Sequence, residues 1–253
     1  MKQALLQGRQ VSKVFAQDQM KNKVLDQVDV DIYKEDFTII MGSSGAGKST
    51  LLYALSGMDG VTDGTVAYKG KQISRLKEKH MAKLRAQEFG FVFQQTHLVS
   101  NLTLFENVAV AGFVSKKGST AEIQERTRSL LAQMGVEKAG NRLPSQVSGG
   151  EAQRAAIARA MIGNPGLLFA DEPTGALNKS HTEGVLSLLT SLNNSGQSIL
   201  MVTHDLRAAV RGNRILYLED GKILDELILP RYQAEDERSR ENRLKDWLSE
   251  LQW

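Results

Sequence analysis

The chain has 253 residues, of which 41% are apolar and 24% charged, the profile of a soluble globular protein. Its 32 basic and 29 acidic residues leave a net charge of only +3, which makes no case for a nucleic-acid partner. Cysteine is absent, which excludes disulfides, thiol nucleophiles and thiolate metal sites. The opening MKQALLQGRQVSKVF has no long apolar core and predicts no secretory signal. No apolar run approaches the roughly 20 residues of a membrane helix, so the chain reads as soluble and cytosolic, reaching a membrane only through a partner.

The first marked element is 28-VDVDI-32, whose apolar–acidic alternation predicts a half-buried strand. Phe37 to Met41 is a continuous apolar run ending at glycine and predicts a fully buried strand. Leu51, Leu52 and Leu55 then form one stripe of a helix over Lys48 to Ser56. A strand is expected at 64–70, a charged helix at 74–87 and a strand at 90–93. From Gln95 to Pro165 helical periodicity replaces the strand pattern, with helices expected at 102–112, 119–134 and 151–161. Strands return at 167–171 and 198–204, separated by a helix at 179–192. Residues 214–220 and 222–227 meet across Asp220-Gly221, a hairpin signal. Residues 231–253 read as an amphipathic helix with Leu244, Trp247, Leu248 and Leu251 on one stripe. Docking of that stripe on its own chain is favoured over docking on a partner.

Strands alternating with helices imply a mostly parallel sheet covered by helices. The expected division is an α/β core of 1–94 and 166–230, a helical subdomain of 95–165 and a C-terminal helix of 231–253.

Residues 42-GSSGAGKS-49 fit the phosphate-loop pattern G-x-x-x-x-G-K-[ST]. Gly42, Gly45 and Gly47 allow the backbone angles that turn successive amides onto phosphate oxygens. The helix that follows offers its positive end. Lys48 reaches the β- and γ-phosphates, and the Ser49 hydroxyl suits magnesium. The loop alone leaves the nucleotide open, since kinases, GTPases and motor ATPases share it. The strand 167-LLFADE-172 ends in two carboxylates at the edge where open α/β sheets bind ligands. Asp171 suits a magnesium shell and Glu172 a general base. His204, ending 201-MVTH-204, reaches the same edge, which raises it above His80, His97 and His181. Ser148, Gly149 and Gly150 open an alanine-rich helix and read as a second anion site with exposed amides.

Taken together, these motifs resemble the nucleotide-binding subunits of ATP-binding cassette (ABC) transporters, over about residues 8 to 229. Seven motifs stand in the family's order. The resemblance makes Phe15 the aromatic that stacks on adenine. Gly42, Ser43, Ser44, Gly45, Ala46, Gly47, Lys48, Ser49 and Thr50 form the Walker A loop. Gln94 is the Q-loop glutamine that senses magnesium and γ-phosphate. Ser148, Gly149, Gly150 and Glu151 are the signature, with glutamate where many members have glutamine. Asp171 and Glu172 are the Walker B pair, Gly175 to Asn178 the D-loop, and His204 the switch histidine. The D-loop departs from the family pattern by ending in Asn178 rather than aspartate, which puts coupling of the two sites in question.

The implied fold class is α/β, a P-loop NTPase (RecA-like) core with a mostly parallel sheet, an N-terminal antiparallel β part and an inserted α-helical subdomain. The implied function is ATP hydrolysis with Mg2+, in a homodimer or paired cassette formed on ATP binding. The implied partner is an integral membrane permease, at the cytoplasmic face of the membrane, docking near Phe105 and Glu106. Phrases such as 171-DEPTGAL-177 and 101-NLTLFENV-108 resemble the branch serving macrolide export, lipoprotein release and antimicrobial-peptide resistance. Two other readings stand beside it: a soluble ABC ATPase of DNA repair or translation, and an ATP-binding scaffold with weak turnover.

Overall fold

In a computed structural model, residues 2–17 and 20–253 are described, and the chain divides into two compact units. The first comprises Met1–Lys77 and Gly196–Trp253, the second Glu78–Ser195.

The first unit begins with strand β1 (Ala4–Gln17), antiparallel to β2 (Met20–Tyr33). The sequence pattern marked only residues 28–32 of this pair. The cause is a set of four register shifts along the pair, two of them bulges at Gln10 and Gln27. Gln10 and Gln27 both adopt left-handed backbone angles where the register of the two strands shifts. Each extra residue flips the side-chain parity, so buried Leu6 and Val11, like buried Leu25 and Val28, stand an odd number apart. After the second bulge Val28, Val30 and Ile32 alternate inward as expected.

Strand β3 (Phe37–Met41) is buried throughout, and helix α1 (Lys48–Ser56) buries Leu51, Leu52 and Leu55. Strand β4 (Asp63–Tyr68) then turns at Lys69-Gly70 into β5 (Lys71–Gln72), a short partner the sequence did not mark. These strands form the antiparallel sheet β2-β1-β4-β5. The charged helix expected from residue 74 starts later, at Glu78. Ile73 and Ser74 instead stay bonded to Val66 of β4 through the Ile73 N–H and the Ser74 hydroxyl.

The second unit runs through α2 (Glu78–Glu88), β6 (Phe89–Phe93), α3 (Leu104–Ser115), α4 (Thr120–Gln133), α5 (Gly149–Met161), β7 (Leu167–Asp171) and α6 (Lys179–Asn194). Strands β6 and β7 pair in parallel. Between residues 95 and 165 there are only α-helices and short 3-10 turns, as the periodicity predicts. Ala155, Ala156 and Ala158 of α5 are wholly buried, and these small side chains let α5 lie close on α3 and β6.

The first unit resumes with β8 (Ser198–Val202), α7 (Leu206–Ala209), β9 (Arg214–Glu219), β10 (Lys222–Ile228) and α8 (Glu237–Glu250). Strands β8, β3 and β9 are parallel neighbours, and β10 pairs antiparallel on β9. The β9–β10 turn places Asp220 and Gly221 at positive φ, 45° and 73°, as a two-residue hairpin requires. The α8 stripe docks on its own unit: Leu244, Trp247 and Leu248 are buried. Trp247 Nε1 donates to Asp225 Oδ2 at 2.8 Å, and its ring meets Tyr217 edge-on. Arg240 Nε donates to the Val210 carbonyl at 2.8 Å, and its Nη1 donates to Pro230 O at 2.7 Å. Among the described residues no helix is long and apolar enough to cross a membrane.

Candidate functional site: a phosphate loop and its accessory motifs

In the first unit the loop between β3 and α1 has a buried base and an open crest. Ser43, Ser44 and Gly45 are exposed, whereas Gly42, Ala46, Gly47 and Lys48 are buried. Gly45 and Gly47 lie at φ 86° and 98°, left-handed angles that glycine adopts without a side-chain penalty. A side chain at Gly42 is impossible, because a Cβ would sit 1.9 Å from Leu218 O of β9. The base is braced by neighbours. Gly221 N–H donates to Ala46 O at 3.2 Å, and Asp26 N–H donates to Gly221 O at 3.0 Å.

Lys48 is 7% exposed. Its Nζ donates to Gly42 O at 2.9 Å and Ser43 O at 2.7 Å, holding the ammonium across its own loop. Ser49 and Thr50 follow, half-buried in the first turn of α1. The cradle thus joins oriented amides, a helix N-terminus and a fixed cation, which together suit a polyphosphate. Parallel pairing of Ile40 with Val202 brings the end of β8 to the same sheet edge as the loop. His204 is exposed there, flanked by buried Thr203 and by Asp205, whose carboxylate grips Arg207. Phe15 is 45% exposed on β1, with the Lys13 ammonium 4.9 Å over its ring. The ring is nearly half exposed, and an aromatic of this kind suits stacking on a base.

In the second unit Phe93 and Asp171 are register partners, so Gln94 and Glu172 leave the same edge of the β6–β7 pair. Glu172 takes φ 44°, a left-handed angle uncommon for a glutamate, and its carbonyl accepts from Gly175 N–H at 3.0 Å. Exposed Gln94 lies against Gly175, where a Cβ would come within 2.8 Å of Gln94 Nε2. The segments that follow β6 and β7 are therefore in direct contact. Helix α5 holds the same segment. Gln153 Nε2 donates to Phe93 O at 2.9 Å, and Arg159 donates to Thr96 O and His97 O at 2.7 Å each. A cleft of about 420 Å³ lies among these loops, lined by Gln94, His97, Gly149, Gln153 and Leu177.

Ser148 is exposed and caps α5 in a reciprocal box with Glu151. Its N–H donates to Glu151 Oε2, an arrangement that holds the Glu151 carboxyl below its ordinary range. The expectation of two exposed glycine amides is corrected here. Gly149 is exposed, but Gly150 is buried beneath the His181 ring of α6, where a Cβ would meet the ring at 2.7 Å. Asn178 is the N-cap of α6, its Oδ1 accepting from His181 N–H at 3.0 Å. Asparagine and aspartate cap about equally well, so this departure keeps the local geometry.

Sequence reasoning does not mark Gln153 or Arg159, reads Gly221 only as a hairpin turn and ranks His181 below His204. Gln153 and Arg159 carried a signal: long polar side chains at positions where an alanine-rich helix buries its neighbours. The contacts of Gly221 with Ala46 and of His181 with Gly150 are long-range, and no local pattern marks those contacts.

The phosphate cradle with its buried lysine, between a buried strand and a helix of an α/β fold, is that of a P-loop nucleotide-binding protein. A family model described as "ABC transporter" matches residues 25–175. Among solved structures, the chain is similar to dimeric MJ0796, a bacterial ABC transporter cassette. Identity is 36% over 90% of this chain and 100% of that one, with a TM-score of 0.83. It is 35% identical, with the same coverage and TM-score, to MJ0796 in a post-hydrolysis state bound to ADP and Pi. CbiO1 of Clostridium perfringens, part of the ABC transporter complex cbiONQ, is 25% identical over 88% of each chain, with a TM-score of 0.78. The chain belongs to the ABC transporter family, as its ATP-hydrolysing cassette.

Proposed function

We propose that two copies of this chain sandwich two ATP molecules and that the closing and reopening of the pair drives a membrane permease. The observation that carries the reading is the presence, in one chain, of a lysine-bearing phosphate loop and a separate serine-capped glycine helix start. One nucleotide has no need of two such turns from one subunit. The dimeric MJ0796 cassette and the membership of CbiO1 in a transporter complex support the pairing and the permease.

In this mechanism Phe15 stacks on adenine, and the amides of residues 42–50 with Lys48 hold the phosphates. Ser148 of the partner subunit, with exposed Gly149 beside it, contacts the γ-phosphate. Glu172 takes a proton from water as the water oxygen attacks the γ-phosphorus. The bond to the bridging oxygen of ADP breaks, and phosphate leaves. His204 steadies the developing charge. The hard oxygen donors of Ser49 and Asp171, with Gln94, fit Mg2+, which supplies charge neutralisation on the phosphates when bound. ATP favours the closed pair because its γ-phosphate bridges the two subunits, the differential affinity that a switch requires.

Residues 95–165 act as the helical arm, with Gln94 as its hinge and the surface near Phe105 and Glu106 as the permease contact. The chain works at the cytoplasmic face of the membrane, held there by the permease. The phrases at 101–108 and 171–177 support a permease of the macrolide, lipoprotein or antimicrobial-peptide type, with few membrane helices and a large outer domain. The capping role of Asn178 argues against the scaffold reading, since the D-loop keeps its shape. Co-purification from detergent extracts tests the permease: a membrane protein retained through washing supports it, and a lone soluble species contradicts it.

A further inference from the structure

Helices α3, α4 and α5 start with the same device. Thr103, Ser119 and Ser148 each accept the N–H of a glutamate three residues on, and that glutamate accepts the N–H of the cap. At α4 the box of Ser119 and Glu122 closes a helix start. At α5 it closes on the serine that, in the proposed mechanism, meets a terminal phosphate, and proton accounting there has a consequence. Glu151 Oε2 lies 2.8 Å from both the backbone nitrogen and the hydroxyl of Ser148. Ser148 Oγ in turn accepts from Glu151 N–H at 3.2 Å. An ionised carboxylate only accepts hydrogen bonds, so the single Ser148 hydroxyl proton points at Glu151. The bonds from Ser148 keep that carboxyl below its usual range, hence ionised at neutral pH. What Ser148 then turns outward is a lone pair. A phosphate oxygen needs a donor, and it also meets the negative charge of the carboxylate.

We propose that Glu151 is a positioning residue that holds the Ser148 hydroxyl proton in the nucleotide-free subunit, setting a threshold for closure of the ATP sandwich. Closure requires that hydroxyl to rotate from the carboxylate to the γ-phosphate of the ATP on the partner subunit. No covalent bond changes. Glu151 keeps its bond from the Ser148 N–H, so the helix cap survives the switch. Glutamine at this position would keep the cap, because its amide oxygen also accepts, while offering a neutral and weaker hold on the proton. The inference rests on the reading that Ser148 faces ATP across a dimer.

The test uses the full chain carrying Glu172→Gln to block hydrolysis. Sedimentation measures the Mg-ATP concentration that gives half-maximal dimer for this parent and for added Glu151→Gln, Ser148→Ala or Glu122→Gln. Glu122→Gln makes the same charge change in the α4 box and serves as the control. Replacing a charged by a neutral acceptor predicts a shift to lower ATP of about fivefold for Glu151→Gln. The control should not move, and the melting temperatures should match. A Glu151→Gln midpoint equal to the parent, with Ser148→Ala unable to dimerise, overturns the positioning role and leaves the sandwich intact. Ser148→Ala dimerising as readily as the parent overturns the sandwich, and the inference with it.

Discussion

Gly221 donates its backbone N–H to Ala46 O at 3.2 Å, so the tip of the β9–β10 hairpin is fastened to the base of the phosphate loop. The other face of the same residue accepts from Asp26, whose carboxylate pairs with Lys222 at 3.2 Å. The nucleotide loop is therefore held by a turn about 175 residues away in sequence, from Ala46 to Gly221. Substituting Gly221→Val puts a Cβ 2.4 Å from Val24 O at φ 73°. The expected cost is about 2 kcal/mol of stability or more, combining the left-handed penalty with the clash. Denaturant unfolding reads the first effect. ATP titration should show weaker binding, since the loop loses its support.

Arg159 ties α5 to the segment after Gln94 through two carbonyls. Arg159→Ala leaves both without their donor. A loss of about 2 kcal/mol is expected in unfolding experiments. Turnover should fall more than ATP affinity does, because Phe15 and the loop of the first unit remain intact. Equal kcat for the variant and the parent would show that the strap does not position Gln94.

Asn178 holds α6 by its side-chain oxygen. Asn178→Asp should stay within about 0.5 kcal/mol of the parent, whereas Asn178→Ala should lose about 1 kcal/mol. Thermal melts of the two variants separate these outcomes. Should Asn178→Asp also raise the ATPase rate, the missing charge of the D-loop limits turnover.

Trp247 buries its ring against Tyr217 and bonds Asp225. Trp247→Ala should cost about 3 kcal/mol, in the range for emptying an aromatic site. If α8 served a partner rather than its own unit, the isolated chain would melt unchanged.

Legibility in the sequence followed the range of the forces involved. Helix α1, strand β3 and the β9–β10 turn were readable because each is decided locally, by a leucine stripe, an apolar run or an Asp-Gly pair. The phosphate loop was readable for the same reason: its glycines, lysine and serine are contiguous. β1 was not, because the bulges at Gln10 and Gln27 break the alternation on which the pattern depends. Gly150 was misjudged because its burial comes from His181, thirty-one residues further along the chain. In sequence Asn178 is a lost charge, whereas in the fold it is a retained cap at the start of α6. In sequence Glu151 is a variant of the signature; its bond to the Ser148 hydroxyl is visible only in three dimensions.

The central claim is that ATP is held between two copies of the chain. Sedimentation of Glu172→Gln with saturating Mg-ATP tests it most directly. The account predicts a stable dimer with ATP that returns to monomer when Lys48→Ala is added. A protein that remains monomeric with bound ATP would contradict it.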